Sequence, residues 1–110
     1  MTPILTGTAA SAGKSSGAAR LIQGPDDFAK LRAGDVLVCR ATDPAWTPLF
    51  GIASAVVTET GGMLSHAAIV AREYGIPAVL GVRAALELVI EGSIVAVDGS
   101  AGTVTVADSQ

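Results

Sequence analysis

The residues most capable of chemistry lie in one short stretch, which holds the only histidine of the 110-residue chain. His66 follows a glycine pair, Gly61 and Gly62, and it comes directly after Ser65 at the predicted start of an alanine-rich helix. The glycine pair predicts a tight turn, in which we expect Gly62 to adopt a positive φ. Imidazole is a competent nucleophile at neutral pH. The first turn of a helix has unpaired N–H groups and a partial positive charge, so it stabilises an attached anion. The pattern therefore predicts a histidine that becomes phosphorylated.

Other kinds of reactive site have weaker support in the sequence. There is no second histidine, Cys39 is the only cysteine, and no carboxylate pair has the spacing of a metal site. Ser65 and His66 are adjacent, so their side chains diverge, which argues against a hydrolytic pair. The stretch from Gly7 to Ser15 is similar to a phosphate-binding P-loop, but it has one residue too many between its glycines. We interpret residues 7–17 as an ordinary loop of small residues.

The elements that must position these residues alternate between strands and short helices. Apolar runs and turn residues predict strands at 17–22, 36–39, 55–58 and 76–80 and a final hairpin at 93–106. Capping and proline signals predict helices at 25–32, 42–50 and 66–74, and an amphipathic pattern predicts a further helix at 83–90. We therefore predict a single mixed α/β domain over residues 1–110, with more sheet than helix. Cys39 is predicted to be a buried apolar residue of a strand.

Composition excludes several classes of partner. Half of the residues are hydrophobic and the net charge is −3, with seven scattered cationic residues, which argues against a nucleic-acid interface. No apolar run approaches the roughly 20 residues that span a bilayer, so no membrane partner is expected. The first residues have no basic signal-peptide region, so we expect a cytoplasmic location.

The segment Thr58–Val82 closely resembles the phosphohistidine signature of the mobile domain of the PEP-utilising enzymes. That family includes pyruvate phosphate dikinase, phosphoenolpyruvate synthase, rifampicin phosphotransferase and enzyme I of the sugar phosphotransferase system. Three earlier stretches resemble the preceding blocks of the family in the same order, at 7–20, 31–38 and 42–50. The resemblance implies a swivelling β/β/α domain. In such domains a histidine accepts a phosphoryl group at one site and delivers it at another.

The resemblance also implies roles for individual residues. His66 would be the phosphorylated nucleophile, attacking through its Nε2 atom. The remaining residues of the implied phosphoryl site, in its loop and around the helix N-terminus, are Thr58, Gly61, Gly62, Ser65 and Arg72. We interpret the proline-bracketed segment Asp43–Phe50 as core packing, with a docking surface for a neighbouring domain as the alternative.

Partner domains complete the implied reaction. This chain alone is expected to bind no metal or cofactor and to turn over no substrate, because it has few cationic groups and no metal cluster. Mg²⁺ and ATP or phosphoenolpyruvate would be held by an ATP-grasp domain or by a domain that binds phosphoenolpyruvate, pyruvate or the acceptor. The alternative is a non-catalytic swivel-type module that binds or regulates a partner without being phosphorylated. The intact Gly-Gly-x-x-Ser-His context favours the phosphoryl carrier.

Overall fold

A computed structural model describes residues 3–107 of the chain. The strands are β1 (Ile4–Thr6), β2 (Thr8–Ser11), β3 (Lys14–Leu21), β4 (Val36–Cys39), β5 (Ala55–Thr58), β6 (Ala78–Leu80), β7 (Ile94–Asp98) and β8 (Thr103–Val106). The α helices are α1 (His66–Tyr74) and α2 (Ala85–Leu88), and two 3₁₀ helices span Pro25–Lys30 and Pro44–Gly51. The domain is therefore rich in sheet, with short helices, as the sequence predicts.

The eight strands form one mixed sheet in the order β1-β8-β7-β3-β4-β5-β6-β2. The central strands β3, β4, β5 and β6 are parallel, whereas the outer pairings are antiparallel. The consecutive strands β1 and β2 lie at opposite edges of this order. Gly7, which joins them, donates its N–H to the carbonyl of Gly102 at 2.9 Å, so the sheet curls back on itself.

Strands β4 and β5 are buried on both faces, as expected for continuous apolar runs in a parallel sheet. Alternate residues face two cores because successive side chains of a strand point in opposite directions. Leu37 and Cys39 face the core that also contains Trp46 and Phe50, whereas Val38 faces the core on the β7–β8 side. Burial, followed by the nearby carboxylate of Glu59, raises the pKa of the Cys39 thiol to about 12.

The register of β4 and β5 determines where the candidate site forms. Cys39 pairs with Thr58 at the carboxyl ends of these parallel strands. The next backbone bonds continue the pairing, because Glu59 donates its N–H to the Cys39 carbonyl at 3.0 Å and Thr60 donates to Arg40, also at 3.0 Å. The segments that follow the two strands therefore leave the sheet side by side.

Two sequence-based predictions of secondary structure were wrong. Residues 7–17, predicted as a loop, contain β2 and the start of β3. This stretch of alanine, serine and glycine has no apolar alternation, and its extended form depends on pairing with β6 and β7. The predicted helix 83–90 is reduced to the single turn of α2, which is preceded by Ala84 in the left-handed region at φ 59°.

The other elements agree more closely with the predictions. The predicted helices at 25–32 and 42–50 are 3₁₀ helices, and the predicted strand 17–22 lies at the end of a longer β3. Strand β1 had no counterpart in the sequence analysis. Of the residues that the structure describes, none belongs to a helix long and apolar enough to cross a membrane.

Candidate functional site

The imidazole of His66 is half-buried at the start of α1 and is held by two threonine hydroxyls. The Nδ1 atom lies 2.7 Å from the Oγ1 atom of Thr42, and the Nε2 atom lies 3.2 Å from the Oγ1 atom of Thr47. The ring of Phe50 meets the imidazole edge to face, with 5.9 Å between the ring centroids. These three contacts fix the direction of the ring.

The threonine hydroxyls can pair with either tautomer of the imidazole. In the neutral ring one nitrogen donates a hydrogen bond and the other accepts one, and a hydroxyl can do either. Both nitrogens are therefore satisfied in either tautomer. The contact of Nδ1 with Thr42 is shorter than the contact of Nε2 with Thr47, so Nε2 is the nitrogen that is released more easily.

Ser65 is the N-cap of α1, as the sequence predicts. Its Oγ atom accepts a hydrogen bond from the Ala68 N–H at 3.4 Å and donates to the carbonyl of Gly62 at 2.8 Å. Within residues 3–107, the backbone N–H groups of His66 and Ala67 have no acceptor. Such unpaired N–H groups favour a negative charge at the helix start, next to the imidazole.

The two glycines of the loop have different functions. Gly61 has a φ of 105°, and a Cβ atom there would lie 3.1 Å from the Oγ atom of Ser65. Gly62 does not have a positive φ, and a Cβ atom on it would meet nothing within 4 Å. The expectation that Gly62 needs a positive φ is wrong, because Gly61 carries this requirement.

This difference predicts an order of effects on phosphorylation at His66. Gly61→Val is expected to be the most damaging, since valine is strained at positive φ and crowds the N-cap serine. Ser65→Ala should have an intermediate effect, costing about 0.5–2 kcal/mol of stability for the lost cap, and Gly62→Val should have the smallest. The amount of phosphohistidine in folded protein, with folding verified by circular dichroism, measures this order. Equal labelling of Gly61→Val and Gly62→Val would contradict it.

Thr58 and Arg72, the other two predicted site residues, lie near the loop and not at the imidazole. Thr58 is buried at the end of β5, and its hydroxyl donates to the carbonyl of Thr60 in the following turn. Arg72, in the last turn of α1, donates from Nε to the carbonyl of Ala10 at 2.8 Å and from Nη2 to the carbonyl of Met63 at 2.7 Å. Both residues therefore shape the loop that precedes His66.

Sequence reasoning missed Thr42 and Thr47. Thr42 was assigned to the start of a helix, and Thr47 was passed over within Asp43–Phe50. That segment combines core packing, through buried Trp46 and Phe50, with direct contact to the imidazole. The signal in the sequence was a pair of threonines, one on each side of a capped proline turn that follows a buried strand.

Metal-binding side chains do not gather around the imidazole. In the part of the chain that the structure describes, no group of three or more His, Cys, Asp and Glu residues is arranged to hold a metal ion. The arrangement offers one imidazole held in a fixed direction, two hydroxyls and the N–H groups of a helix start. It can accept a group on nitrogen, but it offers no set of ligands for a metal-bound donor.

The fold and the site define a mixed α/β domain that presents a single imidazole at the start of a short helix. The sequence model of the family described as "PEP-utilising enzyme, mobile domain" matches residues 31–102. The chain belongs to this family.

Similar proteins are much longer than this chain. The chain is 55% identical over 100 residues to a Bacillus subtilis protein named as an uncharacterised phosphotransferase, YvkC, with 91% of this chain and 12% of that protein covered. It is 48% identical over 102 residues to phosphoenolpyruvate synthase of Aeropyrum pernix, with 92% of this chain and 12% of that protein covered. The chain thus spans 12% of the length of either relative.

One solved structure with detectable sequence similarity shares the fold. An NMR structure of enzyme I aligns with a TM-score of 0.65 and 32% sequence identity. The alignment covers 76% of this chain and 35% of that chain. This similarity agrees with the swivelling-domain fold that the sequence predicts.

Proposed function

We propose that this domain is a phosphohistidine carrier, in which His66 accepts a phosphoryl group from a partner domain and delivers it to an acceptor at a second site. The observation that carries the proposal is the placement of the imidazole at a capped helix start, with both ring nitrogens held by threonine hydroxyls. The N–H groups of His66 and Ala67, which have no acceptor within residues 3–107, would stabilise the negative charge of a phosphoryl group on this imidazole. Membership of the family supports the same conclusion.

In the proposed transfer, the lone pair of Nε2 attacks the phosphorus atom of the donor. A P–N bond forms while the P–O bond to the leaving group breaks, and its electron pair stays on the leaving oxygen. Before the attack, the hydrogen bond between Nε2 and the hydroxyl of Thr47 must break. Nδ1 keeps its proton and donates a hydrogen bond to the Oγ1 atom of Thr42. In the second transfer an oxygen of the acceptor, deprotonated in the partner domain that binds it, attacks phosphorus. A P–O bond forms while the P–N bond breaks, and the electron pair of the P–N bond returns to Nε2.

Partner domains supply the rest of the reaction under this proposal. Phosphoryl transfer needs cationic groups and usually Mg²⁺ to neutralise charge on the donor. His66 is the only histidine, and its described ring contacts are with uncharged side chains, so we assign Mg²⁺ and ATP or phosphoenolpyruvate to a partner. The much greater length of the relatives leaves room for such domains in those proteins.

The proposal is tested by mixing the domain with the rest of a multidomain relative from which the matching region has been removed. Labelled ATP and labelled phosphoenolpyruvate are supplied separately, so the experiment also identifies the donor. A phosphoprotein that is stable in base and labile in acid is expected. A folded domain that binds the partner and takes up no label would instead favour the non-catalytic swivel-type module.

The two threonines are expected to differ in their effect on the rate of phosphorylation. Thr42→Val removes the hydroxyl that orients Nδ1, and losing one hydrogen bond of about 0.5–1.5 kcal/mol should slow the reaction roughly two- to thirteenfold. Thr47→Val removes only the hydroxyl that covers Nε2, so its rate should match or exceed that of the parent. Initial rates with phosphoramidate, a small donor that needs no partner, measure the difference. A slower Thr47→Val than Thr42→Val would assign the orienting function to Thr47.

A further inference from the structure

The loop Gly61–Ser65, which immediately precedes His66, is highly exposed but is tied to the body of the domain. Met63 and Leu64 are 48% and 89% exposed. Ser65 bonds to Gly62 within the loop and to Ala68 and Ile69 of α1, so its contacts tie the end of the loop to the helix but not to the sheet. Within residues 3–107, the carbonyl of Met63 is held by Arg72 alone.

Arg72 connects three parts of the domain. It lies on α1, its Nε donates to the carbonyl of Ala10 in the edge strand β2, and its Nη2 donates to the carbonyl of Met63 in the loop. The same Nη2 atom lies 3.6 Å from the Sδ atom of Met63. A guanidinium group suits this arrangement because its planar fork directs several N–H groups at fixed angles. Of the carboxylates that the structure describes, none forms an ion pair with Arg72, so its described polar contacts are to the loop and the strand.

The bond to Met63 also orients the next peptide unit. The carbonyl of Met63 and the N–H of Leu64 belong to one planar peptide group and point in opposite directions. Fixing the carbonyl toward Arg72 therefore fixes the direction of the Leu64 N–H, two residues before the imidazole. Ser65, the N-cap on which the helix start depends, follows directly.

We infer that Arg72 is a positioning residue, which holds the loop Gly61–Ser65 against β2 so that His66 is presented in one fixed orientation. It acts through the backbone of the loop and does not itself touch the imidazole. The expected effect of Arg72 on the rate of phosphorylation rests on the proposed phosphoryl transfer, whereas its effect on the conformation of the loop does not. The two parts can therefore be tested separately.

The experiment compares Arg72→Met, which removes both hydrogen bonds, with Arg72→Lys, which can restore one of them. Arg83→Met is the matched control, because Arg83 is exposed and makes no hydrogen bond to the described residues. In Arg72→Met we expect amide exchange at Ser65 to rise at least about tenfold, with exchange at Val56 in the central sheet unchanged. The ring signals of His66 in NMR spectra should broaden or shift. Arg72→Lys should be intermediate and Arg83→Met should match the parent.

The phosphorylation rate with phosphoramidate supplies the second measurement. Arg72→Met is expected to react at least about threefold more slowly than the parent, with partial recovery in Arg72→Lys. Unchanged exchange at Ser65 together with unchanged His66 signals in Arg72→Met would overturn the inference. Equal acceleration of exchange at Val56 would also overturn it, since Arg72 would then stabilise the whole domain. If the parent takes up no label either from phosphoramidate or from the partner mixture with ATP and phosphoenolpyruvate, the proposed function fails, and the exchange data still decide the inference about Arg72.

Discussion

His66→Gln is expected to abolish phosphorylation of the domain under conditions that label the parent completely. Glutamine keeps a polar side chain that can still bond to the hydroxyl of Thr42, but its amide nitrogen has no free lone pair to attack phosphorus. No other histidine is present to take over the reaction. Labelling with phosphoramidate, followed by acid and base treatment of the product, measures the loss directly.

The control for this loss is the fold of the variant. His66 is only half-buried and its ring contacts a few side chains, so His66→Gln should stay folded and keep the circular dichroism spectrum of the parent. The phosphorylated parent should contain one phosphoryl group per chain. Acid-labile label on folded His66→Gln would contradict the assignment of His66 as the phosphorylated residue.

Gly99→Ala is expected to have the largest effect on stability among the simple glycine substitutions. A Cβ atom at position 99 would lie 1.8 Å from the carbonyl oxygen of Ser11 and 3.0 Å from the backbone nitrogen of Ala78. Both neighbours are backbone, so no side-chain rotation relieves the clash. A loss of about 4 kcal/mol or more is expected, which is a large part of the roughly 5–15 kcal/mol that stabilises a domain.

Gly24→Ala provides the matched control for this substitution. A Cβ atom at Gly24 would have nothing within 4 Å, and its φ of 177° is extended backbone that alanine adopts readily. Denaturant unfolding monitored by the fluorescence of Trp46, the single tryptophan, which is buried, measures both variants. If Gly99→Ala unfolds at the same denaturant concentration as Gly24→Ala, the turn between β7 and β8 does not pack on β2 as described.

The local part of the site could be predicted from the sequence. Ser65 as the helix cap, His66 as the first helical residue and Gly75 as the helix end all follow from neighbouring residues, and the structure has each of them. The glycine pair predicted a tight turn, although only the structure assigned the positive φ to Gly61. The buried strands β4 and β5 could be predicted for the same reason, because an uninterrupted apolar run is visible within a few residues.

The sequence by itself therefore determined the position of His66 at a helix start, that helix and the central strands, since each depends on residues close together in the chain. The tertiary structure alone decided that Thr42 and Thr47 hold the imidazole, from 24 and 19 residues away. It also decided that residues 8–11 form an edge strand, and that Arg72 reaches across to Ala10 in that strand. These contacts come from strand pairing and register, which bring distant segments together and have no local periodic pattern.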